Sequence, residues 1–257
     1  MIKSEAQDRA RRWVKFVEEA YTDDIRYSIE NSIVENNFNG SERLKGLTPR
    51  FSKTEVYLTD DTVEEAIVKA VSEGKKVCVL NFASYKSPGG RFYDGSLAQE
   101  EALCHVSTLY PVLRHFRNVY EERMSRLNNG LYNEDFIYSP DVVFHMDREL
   151  YKVDVLTYAA PCMIRKPKTD EYAALFKRRI INAYAYPYLH NVDIVILGAW
   201  GCGVFCNDPV FVSSMWDMCT YYLNGYYEKV IHPIPNLGKS GSRNYAAFDK
   251  HITFNRV

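Results

Sequence analysis

The chain has 257 residues, 46% of them apolar and 25% charged, a size within reach of one large α/β domain and a composition too apolar for a disordered polymer. Its 32 basic and 33 acidic residues leave a formal net charge of −1, so no global positive field draws it to an anionic surface, and neither a membrane nor a sequence-specific nucleic acid is expected as partner. An anionic ligand must then be held locally, by backbone N–H groups of glycine loops and helix N-termini.

The first residues, Met1-Ile2-Lys3-Ser4-Glu5, are charged and lack the apolar core of a signal peptide. No run of about 18 apolar residues follows, and a cytoplasmic location is the expectation. Six scattered cysteines (Cys78, Cys104, Cys162, Cys202, Cys206, Cys219) read as reduced thiols in a chain too long to need stapling.

Residues 9–21, carrying Trp13, Val14, Phe16 and Val17, predict an amphipathic helix, and a polar, Asn-rich stretch continues to Gly46. Together residues 1–53 read as an N-terminal helical extension packed on a core of residues 54–257. Within that core, helical patterns at 63–72, 97–116, 171–188 and 208–223 alternate with strand-like runs at 77–82, 153–158, 193–197 and 229–234. The strand runs are β-branched and nearly continuous, which suits strands covered on both faces. This βαβ rhythm predicts an α/β fold, a three-layer α/β/α sandwich with a mixed central sheet, whose ligands sit at the carboxyl ends of the strands.

The loop after the strand at 77–82 begins at Asn81 and leads to Pro88-Gly89-Gly90-Arg91. Two adjacent glycines permit a tight turn and bring a ligand close to bare backbone. Next, Ser96-Leu97-Ala98-Gln99 has the form of a capping box, with Ser96 as N-cap and Gln99 reaching back. Glu100 and Glu101 then fall near the helix start, where the dipole favours carboxylates. Consecutive helical side chains point about 100° apart, so one glutamate can aim at a reacting atom while the other orients it, and periodicity leaves open which is which.

After the strand at 193–197 comes Gly198-Ala199-Trp200-Gly201-Cys202-Gly203-Val204-Phe205-Cys206-Asn207-Asp208-Pro209, a glycine-rich anion cradle that is neither the dinucleotide fingerprint nor a P-loop. Phe205 is either core or a wall for a sugar or base. Cys202 and Cys206 lack a second pair at zinc-like spacing, and no metal or other cofactor is expected. His145 and His232 read as core or rim residues, and Tyr184, Tyr186 and Tyr188 as packing.

Taken together, Asn81-Phe82-Ala83-Ser84, Pro88-Gly89-Gly90, Ala98-Gln99-Glu100-Glu101-Ala102-Leu103-Cys104 and Gly201-Cys202-Gly203-Val204-Phe205 closely resemble the microbial (bacterial-type) poly(ADP-ribose) glycohydrolases of the macrodomain superfamily, over residues 54–248. The resemblance implies a macrodomain sandwich with ADP-ribose in a cleft between two loops, and hydrolysis of the O-glycosidic bond of poly(ADP-ribose) or related ADP-ribosylated substrates by a glutamate acid/base. By that likeness Gly89 and Gly90 contact the distal ribose, Glu101 is the catalytic acid, and Gly201, Cys202, Gly203, Val204 and Phe205 wrap the diphosphate. Glu100 and Gln99 become supporting groups, and the partners are ADP-ribose or an ADP-ribosylated protein or polymer. One position departs from the pattern: the family's usual third glycine is Arg91, whose long side chain could narrow the cleft. That departure motivates an alternative, a non-catalytic reader or sponge for ADP-ribose or an NAD-derived signalling nucleotide.

Overall fold

The computed structural model describes residues 3–164, 166 and 169–257, so Met1 and Ile2 of the N-terminal reading lie outside the described residues. In chain order the elements are α1 (Lys3–Ala20), α2 (Thr22–Asn31), β1 (Ile33–Glu35), α3 (Gly40–Arg43), β2 (Glu55–Thr59), α4 (Val63–Val71) and β3 (Val77–Phe82). There follow α5 (Gln99–Val106), α6 (Leu109–His115), α7 (Arg117–Arg123), β4 (Phe136–Met146), β5 (Glu149–Tyr158), α8 (Asp170–Leu189), β6 (Ile194–Ile196), α9 (Pro209–Tyr222), β7 (Lys229–Pro233) and α10 (Gly238–His251). They group into two compact units, Met1–Asn36 with Asn81–Ala159, and Asn37–Leu80 with Ala160–Val257. The stretch 1–53 is thus shared: 3–36 falls in the first unit and 37–53 in the second.

In the first unit the strands are antiparallel. β4 pairs with β1 and, over most of its length, with β5. The β4–β5 hairpin closes on Asp147 and Arg148, both at positive φ (51° and 69°), a two-residue loop whose twist matches the strands it joins. A bulge between Ser139 and Val142 puts Asp141 at φ 51°, where its N–H donates to Asp154 Oδ1 at 3.1 Å. Helix α1 buries Ala6, Ala10, Val14 and Val17, one stripe at helical spacing. Trp13 donates from Nε1 to the Ser107 carbonyl at 3.1 Å, whereas Phe16, expected on the buried face, is 41% exposed.

In the second unit the strands are parallel, in the order β3–β6–β7–β2. Only residues 77–80 of β3 belong to it; Asn81 and Phe82 are the first residues of the other unit's long segment. Ile194, Val195, Ile196, Val230 and Val79 are all buried, the continuous apolar runs that a parallel sheet requires. Helix α4 starts with a capping box, Thr62 Oγ1 accepting from the Glu65 N–H and Glu65 Oε2 from the Thr62 N–H. Helix α9 is capped by Asp208, with Pro209 in the first turn.

The α/β class and the mixed strand content agree with the sequence reading, and the expected strand at 77–82 is observed at those bounds. Three expectations need correction. The helix read at 97–116 is two helices, α5 and α6, because the chain at Ser107 and Thr108 turns to pair with β4: Ser107 bridges Phe144, and the Thr108 N–H donates to the Val143 carbonyl at 2.9 Å. The rule that each strand is followed by a helix fails at the β4–β5 hairpin. The Ser96 capping box is absent: Ala98 is the N-cap, and Ser96 Oγ accepts only from the Ala98 N–H at 3.5 Å.

Candidate active site

The first unit brings together Asn81, Gly89, Gly90, Arg91, Gln99, Glu100 and Glu101. The chain leaves β3, turns through Pro88-Gly89-Gly90 and a short 3-10 turn, and enters α5. Gly89 and Gly90 have φ of +67° and +57°, angles that disfavour a side chain. Space forbids one as well: a Cβ on Gly90 would stand 2.5 Å from Glu101 Oε1 and 3.0 Å from Glu100 Oε2. The turn lies against both carboxyls because it carries nothing there.

Helix α5 starts at Gln99 because tertiary partners claim the side chains that a local cap would use. Gln99 Oε1 accepts from the Phe82 N–H at 2.8 Å, tying the helix start to the end of β3. Glu100, 3% exposed, accepts from the Ser84 N–H at 2.7 Å and from the Asn81 amide at 3.4 Å. Asn81 is itself fully buried and also donates to Thr157 Oγ1 at 3.3 Å. Burial pushes the Glu100 carboxyl up from 4.5 to about 8, and the Glu101 charge adds to the rise, while the N–H groups of Ser84 and Gly89 and the Asn81 amide pull the other way. Desolvation wins, so Glu100 keeps its proton at neutral pH.

Glu101 is 6% exposed, and its Oε1 accepts from the Arg91 N–H at 2.8 Å. That is the single hydrogen bond of its carboxyl among the described residues, which leaves Oε2 without one. The two glutamates therefore separate as their 100° offset requires: Glu100 is locked into the β3 loop, and Glu101 is held from one side by the glycine turn.

At position 91 the chain takes φ −107°, which any residue adopts. The Arg91 side chain is 75% exposed and its Nε pairs with Asp94 at 3.3 Å, so it does not reach Glu101.

The loop at Gly201, Cys202, Gly203, Val204 and Phe205 belongs to the second unit. Gly201, at φ +74°, could not carry a side chain: its Cβ would stand 2.5 Å from Asn207 Nδ2 and 2.6 Å from Ala160 Cβ. Asn207, which the sequence reading left unassigned, organises this loop. Its Nδ2 donates to the carbonyls of Pro161 (2.8 Å) and Gly201 (3.0 Å), and its Oδ1 accepts from the Tyr172 hydroxyl at 2.9 Å. Gly203 and Val204 are exposed, and their N–H groups donate to no group among the described residues, as an anion cradle requires. The half-buried Phe205 accepts from the Met163 N–H at 2.7 Å through its carbonyl. Cys202 is buried, and burial, reinforced by Asp208, holds its thiol well above the ordinary range, the reverse of an activated nucleophile.

Two further groups shape the first unit's loop without having been read from the sequence. Ser84 acts through its N–H on Glu100, and its Oγ accepts from the N–H groups of Lys86 and Ser87 at 3.3 Å. Tyr85 is pinned beneath, stacked on Tyr132 at 4.4 Å. The guanidinium of Arg123 lies over Tyr85 and Tyr120, and its Nε donates to Asp135 Oδ2 at 2.6 Å in a buried pair. A buried pair 12 residues apart has no local pattern to announce it. His145 hydrogen-bonds Tyr21 at 3.1 Å, and His232 is a fully buried residue whose pKa burial lowers to about 3.

Solved structures carry the same architecture. Poly(ADP-ribose) glycohydrolase from Thermomonospora curvata superposes with a TM-score of 0.88 at 26% identity, covering 96% of this chain and 99% of that one. The same enzyme bound to the inhibitor ADP-HPD gives 0.85 at 26% identity, with the same coverage. The enzyme from Deinococcus radiodurans in complex with ADP-ribose gives 0.80 at 25% identity, over 88% of this chain and 96% of that one. No curated protein sequence matches. The family model for the microbial-type PARG catalytic domain matches residues 13–147, just over half of the chain, including the glycine turn and both glutamates but not the loop at 201–205. The chain belongs to the microbial-type PARG catalytic-domain family, a family of poly(ADP-ribose) glycohydrolases.

Proposed function

We propose that the protein binds ADP-ribose and hydrolyses the O-glycosidic bond of poly(ADP-ribose) and related ADP-ribosylated substrates, with Glu101 as the acid and base. The observation that carries this reading is the Glu101 carboxyl, buried at the glycine turn and gripped at Oε1 by the Arg91 N–H, with no hydrogen bond at Oε2 among the described residues. ADP-ribose offers hydroxyls to such a carboxyl and a diphosphate to N–H groups like those of Gly203 and Val204. The relatives solved with ADP-ribose and with an inhibitor support that ligand class. We assign the activity to residues 54–257, which hold both glycine loops, with 1–53 as a supporting extension.

In the reaction, protonated Glu101 gives its proton to the departing glycosidic oxygen as the C–O bond breaks and positive charge develops on the ribose carbon. Water adds to that carbon and returns a proton to the carboxylate, so one water is consumed and the acid is restored. Glu100, neutral at pH 7, holds the β3 loop without placing a second negative charge beside the carboxylate that Glu101 becomes once its proton is given. The test is release of free ADP-ribose from polymer. The wild-type protein releases it, and Glu101→Gln binds ADP-ribose but turns over at least about a hundredfold more slowly. A wild-type protein that releases nothing refutes the activity; a Glu101→Gln protein at wild-type rate refutes the role of Glu101.

A further inference from the structure

The turn that grips Glu101 also forms one wall of a cleft of about 410 Å³, lying wholly within the first unit. Its other wall comes from α6 and α7, through Tyr110, Arg114, Arg117 and Tyr120. The lining holds four cations, Lys86, Arg91, Arg114 and Arg117, against two carboxylates, Asp94 and Glu121, in a chain whose net charge is −1. Positive charge is therefore concentrated here against the trend of the molecule.

These cations are weakly engaged. Arg91 pairs with Asp94 at 3.3 Å and Arg117 with Glu121 at 3.2 Å, both arginines 75% exposed, and Arg114 pairs with Glu18. Lys86 is exposed and forms no ion pair among the described residues. Solvated pairs of this kind contribute little and yield readily to a phosphate, which guanidinium groups bind bidentately. Beside them Tyr93 and Tyr110, half-buried and packed edge to face at 5.2 Å, offer ring surface of the kind on which a base stacks. Residue 91 joins the cleft to the acid, its N–H on Glu101 and its side chain in the cleft lining.

We propose that this cleft receives the leaving side of the polymer, the diphosphate and base of the ADP-ribose unit that departs from the cleaved bond. The proposal rests on the glycohydrolase reading above and adds a second anionic subsite to it. Binding separates the two. In a Glu101→Gln background, which keeps the substrate intact, anisotropy titration compares labelled ADP-ribose with a labelled ADP-ribose dimer, with and without Lys86→Glu and Arg117→Glu. The dimer binds more tightly than ADP-ribose; the two charge reversals weaken dimer binding about tenfold and leave ADP-ribose binding and the melting temperature unchanged. Equal dimer affinity with and without the reversals overturns the subsite, and so does an equal loss for dimer and monomer. If ADP-ribose itself fails to bind, the functional reading falls and the subsite with it.

Discussion

Replacing Glu100 by Gln removes a titration while keeping the shape of the side chain. In the folded protein this carboxyl stays protonated up to about 8, against 4.5 as a model group. The folded state thus binds a proton more tightly than the unfolded state, and stability falls as pH rises from 4.5 to about 8, then levels off. Each pH unit corresponds to about 1.4 kcal/mol, so the difference approaches about 5 kcal/mol as an upper bound. Glutamine does not titrate, and its amide oxygen can still accept from the Ser84 N–H, which now lies 2.7 Å from Oε2. At pH 8.5 Glu100→Gln is therefore more stable than wild type by about 2–5 kcal/mol, a rise of at least about 5 °C in Tm for a chain of this length. At pH 4.5 the advantage is nearly gone. Thermal denaturation followed by circular dichroism at half-unit steps from pH 4.5 to 9 measures this difference. A variant whose advantage does not grow with pH refutes the reasoning, because the buried carboxyl would then not be bearing the desolvation cost.

Three other changes probe the scaffold of the site. Gly90→Ala puts a Cβ 2.5 Å from Glu101 Oε1; displacing the acid by about 1 Å lowers turnover on the order of a hundredfold, read as released ADP-ribose, and a rate within twofold of wild type refutes the steric argument. Asn207→Ala strips two donated bonds and one accepted bond from the buried loop at Gly201, costing about 2–4 kcal/mol in urea denaturation; a midpoint unchanged from wild type shows that the loop holds itself. Arg123→Met leaves Asp135 buried without its partner and destabilises by about 3–5 kcal/mol, and adding Asp135→Leu recovers most of the loss. A double variant as unstable as the single would show that ring packing over Tyr85 and Tyr120, not the charge pair, is what Arg123 supplies.

The parts of the fold written in local periodicity were legible. Residues 77–80 form a continuous, buried apolar run with β-branched valines at 77 and 79, and the strand at 77–82 could be bounded from the sequence alone. The hairpin of β4 and β5 was not, since its turn is Asp147-Arg148, where the usual signal is Asn-Gly or Asp-Gly, and Pro140 and Asp141 at the bulge interrupt the alternation of β4. Helix α10 opens with Gly238, Ser240 and Gly241, residues that by propensity read as loop. At the site, the turn and the paired glutamates stood out as types in a pattern. Their division of labour came only from the family likeness and not from periodicity, because it depends on where Gln99 and Glu100 find partners: the N–H groups of Phe82 and Ser84, 17 and 16 residues upstream. Tertiary claims on those side chains also displaced the expected cap at Ser96.

The hold on Glu101 has a consequence for how this site tolerates change. The carboxyl is fixed by the peptide N–H of residue 91, a group that every residue except proline supplies, at a backbone angle open to all of them. The identity of the side chain at 91 is therefore invisible to the acid, which meets the same donor whichever residue stands there. Glu101 constrains position 91 through the main chain, which leaves the side chain there to serve the cleft outside.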